Sequence, residues 1–351
     1  VRGNTTKPGS PARPPRHRFP RAVTRSRVVT AVLAVAVVCL VIAALGIGEF
    51  YVAPQDVIRS LLGRDTGFAA VVVNEWRAPR VAAACLFGAA LGISGALFQT
   101  LTDNALGSPD VVGFSTGAYT GALIAMTVIG AGAGGTAVGA LLGGVATALL
   151  VYLFAFNRGV EGYRLIIAGI GTTAALSSVN VWLLLRVDAG EAMNAAMWGA
   201  GTLSGITLGS VAIAAAVIVP GLLGTGLIAR PLRQLELGDD AAIAHGVRVE
   251  PVRLLIIVIA VAPVAAVTAF AGPIAFIALS APQIARRLQR SEGLPLIGSA
   301  LTGALLLLLA DLVARHLLPG GVPVGTVTVV IGGIYLMWLL VLQTRRSGGR
   351  R

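Results

Sequence analysis

From Val28 onward the sequence is a succession of nearly uncharged apolar runs, broken by short stretches rich in Gly, Pro or Arg. An α-helix rises about 1.5 Å per residue, so about 20 apolar residues cross a hydrocarbon layer of about 30 Å. Runs can be marked at 28–48, 79–99, 110–130, 135–156, 164–185, 206–228, 252–270, 272–286, 294–314 and 323–342. The run 272–286 is short and follows Gly272-Pro273. Only 12% of the 351 residues are charged, against 56% apolar. A soluble domain carries about 25% charged residues, so this chain cannot cover a water-facing surface. The expected fold class is an all-α polytopic membrane protein with about ten transmembrane helices.

The same composition removes several chemistries. The single lysine is Lys7, outside any GxxxxGK pattern, so no P-loop for ATP is encoded. Three scattered histidines (His17, His245, His316) and two cysteines inside apolar runs (Cys39, Cys85) supply no metal spacing and no disulfide framework. No catalytic residue and no metal-binding residue is expected. Gly is abundant, with 45 residues, and pairs four apart recur at Gly88 and Gly92, Gly117 and Gly121, Gly139 and Gly143. Such pairs let membrane helices approach closely, so they read as packing seams.

Residues 1–27 are Arg- and Pro-rich and read as a disordered basic tail. Residues 28–345 form the transmembrane domain and 346–351 a second short tail. The run after the basic tail is longer than the 7–15 residues or so of a cleaved signal, so it reads as a retained first span. Pro54–Leu62 carries apolar residues at i, i+4 spacing, which suits a helix on the membrane surface. With the tail placed in the cytoplasm, 21 of the 27 basic residues fall on the inner side and six outside. That asymmetry places both termini in the cytoplasm. It also accounts for the net charge of +12 without nucleic acid.

Three groups of residues stand out. The longest polar interruption is 230–251, on the inner side. There Leu235-Glu236-Leu237-Gly238 leads into Asp239-Asp240-Ala241-Ala242, and Gly246-Val247 follows. Asp239 suits an N-cap and Gly246 a C-terminal stop. The segment is either a solvated connector or a short docking helix, with Ala242, Ile243 and Val247 as an apolar knob. On the outer side, Arg77 and Arg80 flank Pro79, and Arg315 follows Asp311 by four residues. These arginines either anchor the interface or meet acidic groups of a partner, and Asp311 can pair with Arg315. Uncharged polar residues cluster on two runs: Ser115, Thr116 and Tyr119 on one, Thr172, Thr173, Ser177 and Asn180 on the other. They either hydrogen-bond neighbouring helices or line a path.

Several separated blocks then resemble one family. They are Arg77-x-Pro-Arg80, Gly92-x-x-x-Gly-Ala-x-x-Gln99, Asn104-x-Leu-x-x-Pro109, Trp198-Gly-x-Gly-x-Leu203 and Leu235-x-Leu-Gly238. Gly272-Pro-Ile-x-Phe-Ile277, Ala281-Pro-Gln-Ile-Ala-Arg286, Ala310-Asp-x-x-x-Arg315 and Pro323-Val-Gly325 continue the series. In this order they resemble the FecCD family, the permease subunits of iron–siderophore and vitamin B12 ABC importers. Three positions depart from the family pattern: Ala105 for a Pro, Gln283 for a His, and Gly332-Gly333-Ile334 for a Gly-Ala-Pro. The stretches Leu106–Phe114, Ala281–Arg287 and Ile331–Leu336 resemble its ferric-enterobactin branch (FepG-like subunits).

The resemblance implies a BtuC-like fold in the cytoplasmic membrane and transport of a ferric siderophore. It implies no cofactor of the chain's own, since ATP would bind a cytosolic ABC ATPase dimer. Further partners would be a second permease subunit, the same or different, and an extracytoplasmic siderophore-binding lipoprotein. The family pattern assigns ATPase coupling to Leu235, Leu237, Gly238, Asp239, Ala242, Gly246 and Val247. It assigns binding-protein docking to Arg77, Arg80 and Arg315. The competing reading is a secondary transporter driven by an ion gradient, with Asp311 as its proton site.

Overall fold

The computed structural model describes residues 19–64, 67–110, 113–155, 162–291 and 293–348, and no strand occurs among them. The chain begins with α1 (Phe19–Gly46), α2 (Pro54–Leu61) and α3 (Phe68–Val71). A π-helical turn at Val72–Arg77 leads from α3 into α4 (Ala78–Leu101), and another at Ile124–Val128 extends α5 (Phe114–Leu123). Then come α6 (Ala133–Ala155), α7 (Gly162–Leu184), α8 (Ala189–Gly199), α9 (Leu208–Leu235) and α10 (Asp239–Ala244). The series closes with α11 (Val249–Ala271), α12 (Ile277–Gln289), α13 (Leu296–His316) and α14 (Val324–Gly348).

A helix stands at each expected run, yet the helices are unequal. Among the described residues seven are long and apolar enough to cross a membrane: Arg25–Gly46, Phe68–Leu101, Ala133–Ala155, Tyr163–Leu184, Leu208–Leu235, Val249–Ala271 and Leu296–His316. The apolar part of α14, Val324–Trp338, is shorter. So is α12, whose 13 residues span only about 20 Å. Gly272 (φ +69°) breaks the chain ahead of α12, and Arg286 and Arg287 end its apolar stretch.

Several boundaries move. Helix α1 starts at Phe19, inside the segment expected to be disordered, and residues 1–18 lie outside the described ones. Part of this segment is held by tertiary contacts. Arg25 donates to the Leu288 carbonyl (3.3 Å), Ser26 donates to Gln289 Oε1 (3.0 Å), and Gln289 Nε2 donates to Thr30 Oγ1 (3.1 Å). Helix α9 runs through Pro220 and Pro231 to Leu235, so the polar interruption expected at 230–251 contracts to the stretch between Leu235 and Val249. Helix α14 continues to Gly348, into the expected C-terminal tail, and residues 349–351 lie outside the described ones.

The glycine pairs do act as seams: one lies against α13, and the other two face each other. Any side chain at Gly88 would collide with the backbone of Gly303 and Ala304, and one at Gly92 with the Ser299 carbonyl, so α4 and α13 touch backbone to backbone. Gly117 and Gly121 of α5 meet Gly143 and Gly139 of α6 in the same way. Close approach of this kind maximises dispersion where lipid offers no hydrophobic driving force. Polar cross-links add to it: Ser94 donates to the Ala260 carbonyl (2.7 Å), Gln99 to the Leu279 carbonyl (3.0 Å), and Gln283 to Gln99 Oε1 (2.6 Å).

The separated sequence blocks converge in space. Gly201 (φ +76°) abuts the Pro273 carbonyl, Gly272 abuts the Trp198 carbonyl, and Gly325 abuts the Ala200 carbonyl. Thr202 N–H donates to the Ala271 carbonyl (2.7 Å) and Gly325 N–H to the Gly201 carbonyl (3.0 Å). Three helix breaks thus satisfy one another's backbone groups, as irregular backbone at membrane depth must.

The seam yields a test. Gly92→Ala forces the α4 and α13 backbones apart and should cost about 1–3 kcal/mol. Gly226, with open space around it on α9, should accept Ala without loss. Melting of the purified protein in detergent compares the two; equal melting temperatures would contradict the seam.

Candidate functional site

The three outer arginines do not form one free basic surface. Arg77 is buried, 8% exposed. It donates to the carbonyls of Leu45 (2.7 Å), Gly46 (3.1 Å) and Phe50 (2.6 Å). The last carbonyls of a helix lack intrahelical partners, so this guanidinium caps the end of α1. Within the chain these three carbonyls occupy its guanidinium, so it does not stand free on the outer surface as expected.

Arg80 and Arg315 share one carboxylate. Arg80 Nε lies 2.7 Å from Asp311 Oδ1 and Arg315 Nη2 lies 2.9 Å from Asp311 Oδ2. Asp311 is fully buried, whereas each arginine side chain keeps 18% of its surface exposed. Arg80 Nη1 also donates to Ser204 Oγ (3.2 Å). The Asp311–Arg315 pairing at i, i+4 was legible in the sequence; the bond from Arg80, on a distant helix, was not. Two guanidinium groups and one carboxylate leave one positive charge unneutralised within the cluster.

Ser204 also lines a cavity of about 810 Å³ beside this cluster, together with Glu191, Asn194, Trp198 and Thr202. Helix α8, which contributes Glu191, Asn194 and Trp198, was not expected. Its signal was present: Asp188 occupies the N-cap and Glu191 the first turn, an acidic start of the kind that marks helix N-termini.

At the opposite end lies α10. Its N-cap is Gly238 (φ 97°), not Asp239. Asp239 sits in the first turn and accepts two bonds from Arg253 Nη2, at 2.9 and 2.8 Å. The C-terminal stop is as expected. Gly246 (φ +81°) follows the last turn, with Gly246 N–H bonded to the Ile243 carbonyl and Val247 N–H to the Ala242 carbonyl, a Schellman arrangement. Ala242 is completely buried, whereas Ile243 is 60% and Leu237 69% exposed. The exposed apolar surface is therefore Leu237 and Ile243, and Ala242 is the foot on which α10 stands. Leu235 and Val247 are half-buried.

The polar residues of α5 and α7 come together only in part. Ser115 donates to Asp110, and Tyr119 donates to the Ala195 carbonyl (3.3 Å) and stacks on Trp198. Thr116 and Thr172 are half-buried. Thr173 faces Gly113, where a side chain would clash with its hydroxyl. Asn180 is buried with Oδ1 unpartnered, while Ser177 points outward. Of these side chains, Tyr119 is the one that bonds to another helix within the chain, while the Thr173 hydroxyl and Asn180 Oδ1 are buried without a partner.

Among the described residues the chain is thus all-helical, with helices long and apolar enough to cross a membrane, a charged cluster at one end and a capped helix presenting apolar side chains at the other. The chain belongs to the FecCD transport family, whose model matches residues 34–342. It is 46% identical to the ferric enterobactin transport system permease protein FepG of Escherichia coli, over 93% of this chain and 99% of that protein. It is 33% identical to the achromobactin transport system permease protein CbrC of Dickeya dadantii, over 93% of this chain and 95% of that one. Among solved structures it is similar to an ABC transporter assigned to the metal-chelate type, in an inward-facing conformation. That match has a TM-score of 0.77 and 25% identity over 90% of this chain and 99% of the other.

The two arginine roles separate by substitution. Asp311→Ala leaves two guanidinium groups facing each other and should cost about 3 kcal/mol or more. Arg77→Ala strands helix-end carbonyls and should cost about 1–3 kcal/mol. Melting in detergent reads both. A stable Arg77→Ala protein that loses partner docking would return Arg77 to the outer surface.

Proposed function

We propose that this chain is the permease subunit of an ABC importer that moves a ferric siderophore of enterobactin-like, catecholate type across the cytoplasmic membrane. The observation that carries this reading is the match to the FecCD family over nearly the whole chain, with 46% identity to a ferric enterobactin permease. The basic-residue asymmetry supports ten crossings with both termini cytoplasmic, so that α10 faces the cytosol and the Arg80–Asp311–Arg315 cluster faces outward. The three shorter helical regions, at α5, α12 and α14, then complete the count. A second permease subunit, identical or related, would cover the apolar faces of α7 and α14, with Thr172 and Ser177 toward the shared path.

Energy comes from a separate ATPase pair docking on α10 through Leu237 and Ile243. ATP binds there, and the permease itself holds no cofactor. A lipoprotein delivers the chelated iron and docks at the outer cluster through Arg80 and Arg315, whose unneutralised charge suits a carboxylate. Exposed ion pairs of this kind contribute about 0.2–1 kcal/mol each, so docking weakens with salt. The ion-gradient alternative finds no support in the family and relatives that the chain matches.

Two experiments test this. Uptake of radiolabelled ferric enterobactin by vesicles carrying the full transporter should require ATP and persist with a protonophore; uptake abolished by the protonophore alone would overturn the reading. Leu237→Asp with Ile243→Asp should abolish copurification of the ATPase while leaving the permease stable. Ala242→Asp should instead lower the melting temperature, because it places a charge in a buried site. Retained copurification in the double Asp variant would return α10 to a connector.

A further inference from the structure

We propose that Glu236 is a positioning residue that passes the movement of α10 to α13. This inference rests on the reading of α10 as the ATPase contact. Glu236 caps the end of α9 and lies three residues before α10. Its Oε1 accepts from the Leu294 N–H at 3.1 Å, 58 residues away in sequence. Leu294 directly precedes Pro295, the N-cap of α13, where the helix dipole favours a negative group. Gly293 leaves space for the contact: a Cβ there would sit 2.5 Å from Glu236 Oε2 and push the carboxylate aside.

The stretch carrying α10 is therefore tied at two points. One tie is local, Asp239 to Arg253 on the following helix. The other, Glu236 to Leu294, reaches the residue that precedes the N-cap of α13. A polar cavity of about 190 Å³ lies beside the carboxylate, lined by Asp103, Asn104, Gln283 and Arg286 as well as Leu294. It gives Glu236 room to leave Leu294, so the tie can be made and broken. The element it grips is rigid. Helix α13 is packed against the α4 backbone at Gly88 and Gly92, and its far end holds Asp311 with Arg80 of α4. Residues 296 and 311 lie about 22 Å apart along a helix. A shift imposed on Leu294 therefore moves α13 and α4 as one piece and reaches the outer cluster. This role is not legible in the sequence, because it depends on a main-chain N–H remote in the chain.

The test uses the assembled transporter in liposomes, with radiolabelled ferric enterobactin as probe and uptake per ATP hydrolysed as readout. Glu236→Ala should keep assembly, the KM for ATP and basal ATP turnover, and lose uptake per ATP by about fivefold or more. Glu236→Gln keeps an acceptor oxygen and should recover most of the uptake. Gly293→Ala should mimic Glu236→Ala and add nothing in the Glu236→Ala background, as expected if both act through one contact. Uptake per ATP in Glu236→Ala within about twofold of wild type would overturn the proposal, as would failure of Gln to rescue. A parallel fall of assembly, turnover and uptake would also overturn it, since that marks a merely structural residue. If wild-type permease and ATPase fail to assemble through α10, the coupling reading itself fails, which is a distinct result.

Discussion

The backbone-to-backbone contact of α4 with α13 is the constraint on which the other features depend. In lipid, helices gain no hydrophobic energy by touching, so close approach and hydrogen bonds must hold them. Gly88, Gly92 and Gly303 remove the side chains that would separate the two axes. Buried hydrogen bonds from Ser94 and Gln99 of α4 then fasten it to α11 and α12. The ionic cluster requires this spacing: Arg80 reaches Asp311 only because α4 and α13 lie this close. The Glu236 contact uses the same pair as a lever.

The cluster shows how a membrane protein retains charge at a helix end. A buried carboxylate alone would be expensive, yet Asp311 meets two guanidinium groups that stay partly exposed. The desolvation cost falls mainly on the single carboxylate, and the arginines keep contact with solvent or a partner. Arg77 solves a different problem. Its guanidinium supplies the donors that the end of α1 lacks, so its charge is spent inside the chain.

Features set by local chemistry were legible in the sequence. The Gly pairs at four-residue spacing marked the seams, and Gly246 marked the stop of α10. Features set by distant partners were not. Arg77 read as outward-facing because nothing near it in sequence reveals the carbonyls of Leu45, Gly46 and Phe50 as acceptors. Ala242 read as an exposed knob because six residues give too few turns to tell the buried face from the open one; burial fell on Ala242 and exposure on Leu237 and Ile243. Residues 19–27 read as tail because the segment is Arg- and Pro-rich, and the partners of Arg25 and Ser26, Leu288 and Gln289 at the end of α12, are remote in sequence. The family blocks read as separate motifs, whereas Gly201, Gly272 and Gly325 meet at one junction of helix breaks.

If α4 and α13 form an invariant spine, that seam should stay closed through the transport cycle while the loop around α10 moves. Hydrogen-exchange mass spectrometry of the assembled transporter, with and without ATP, reads this directly. Amides of the segments 84–98 and 299–310 should be among the slowest to exchange and unchanged by nucleotide, while 236–248 should change protection. Nucleotide-dependent deprotection along Gly88, Gly92 and Gly303 would contradict a rigid spine.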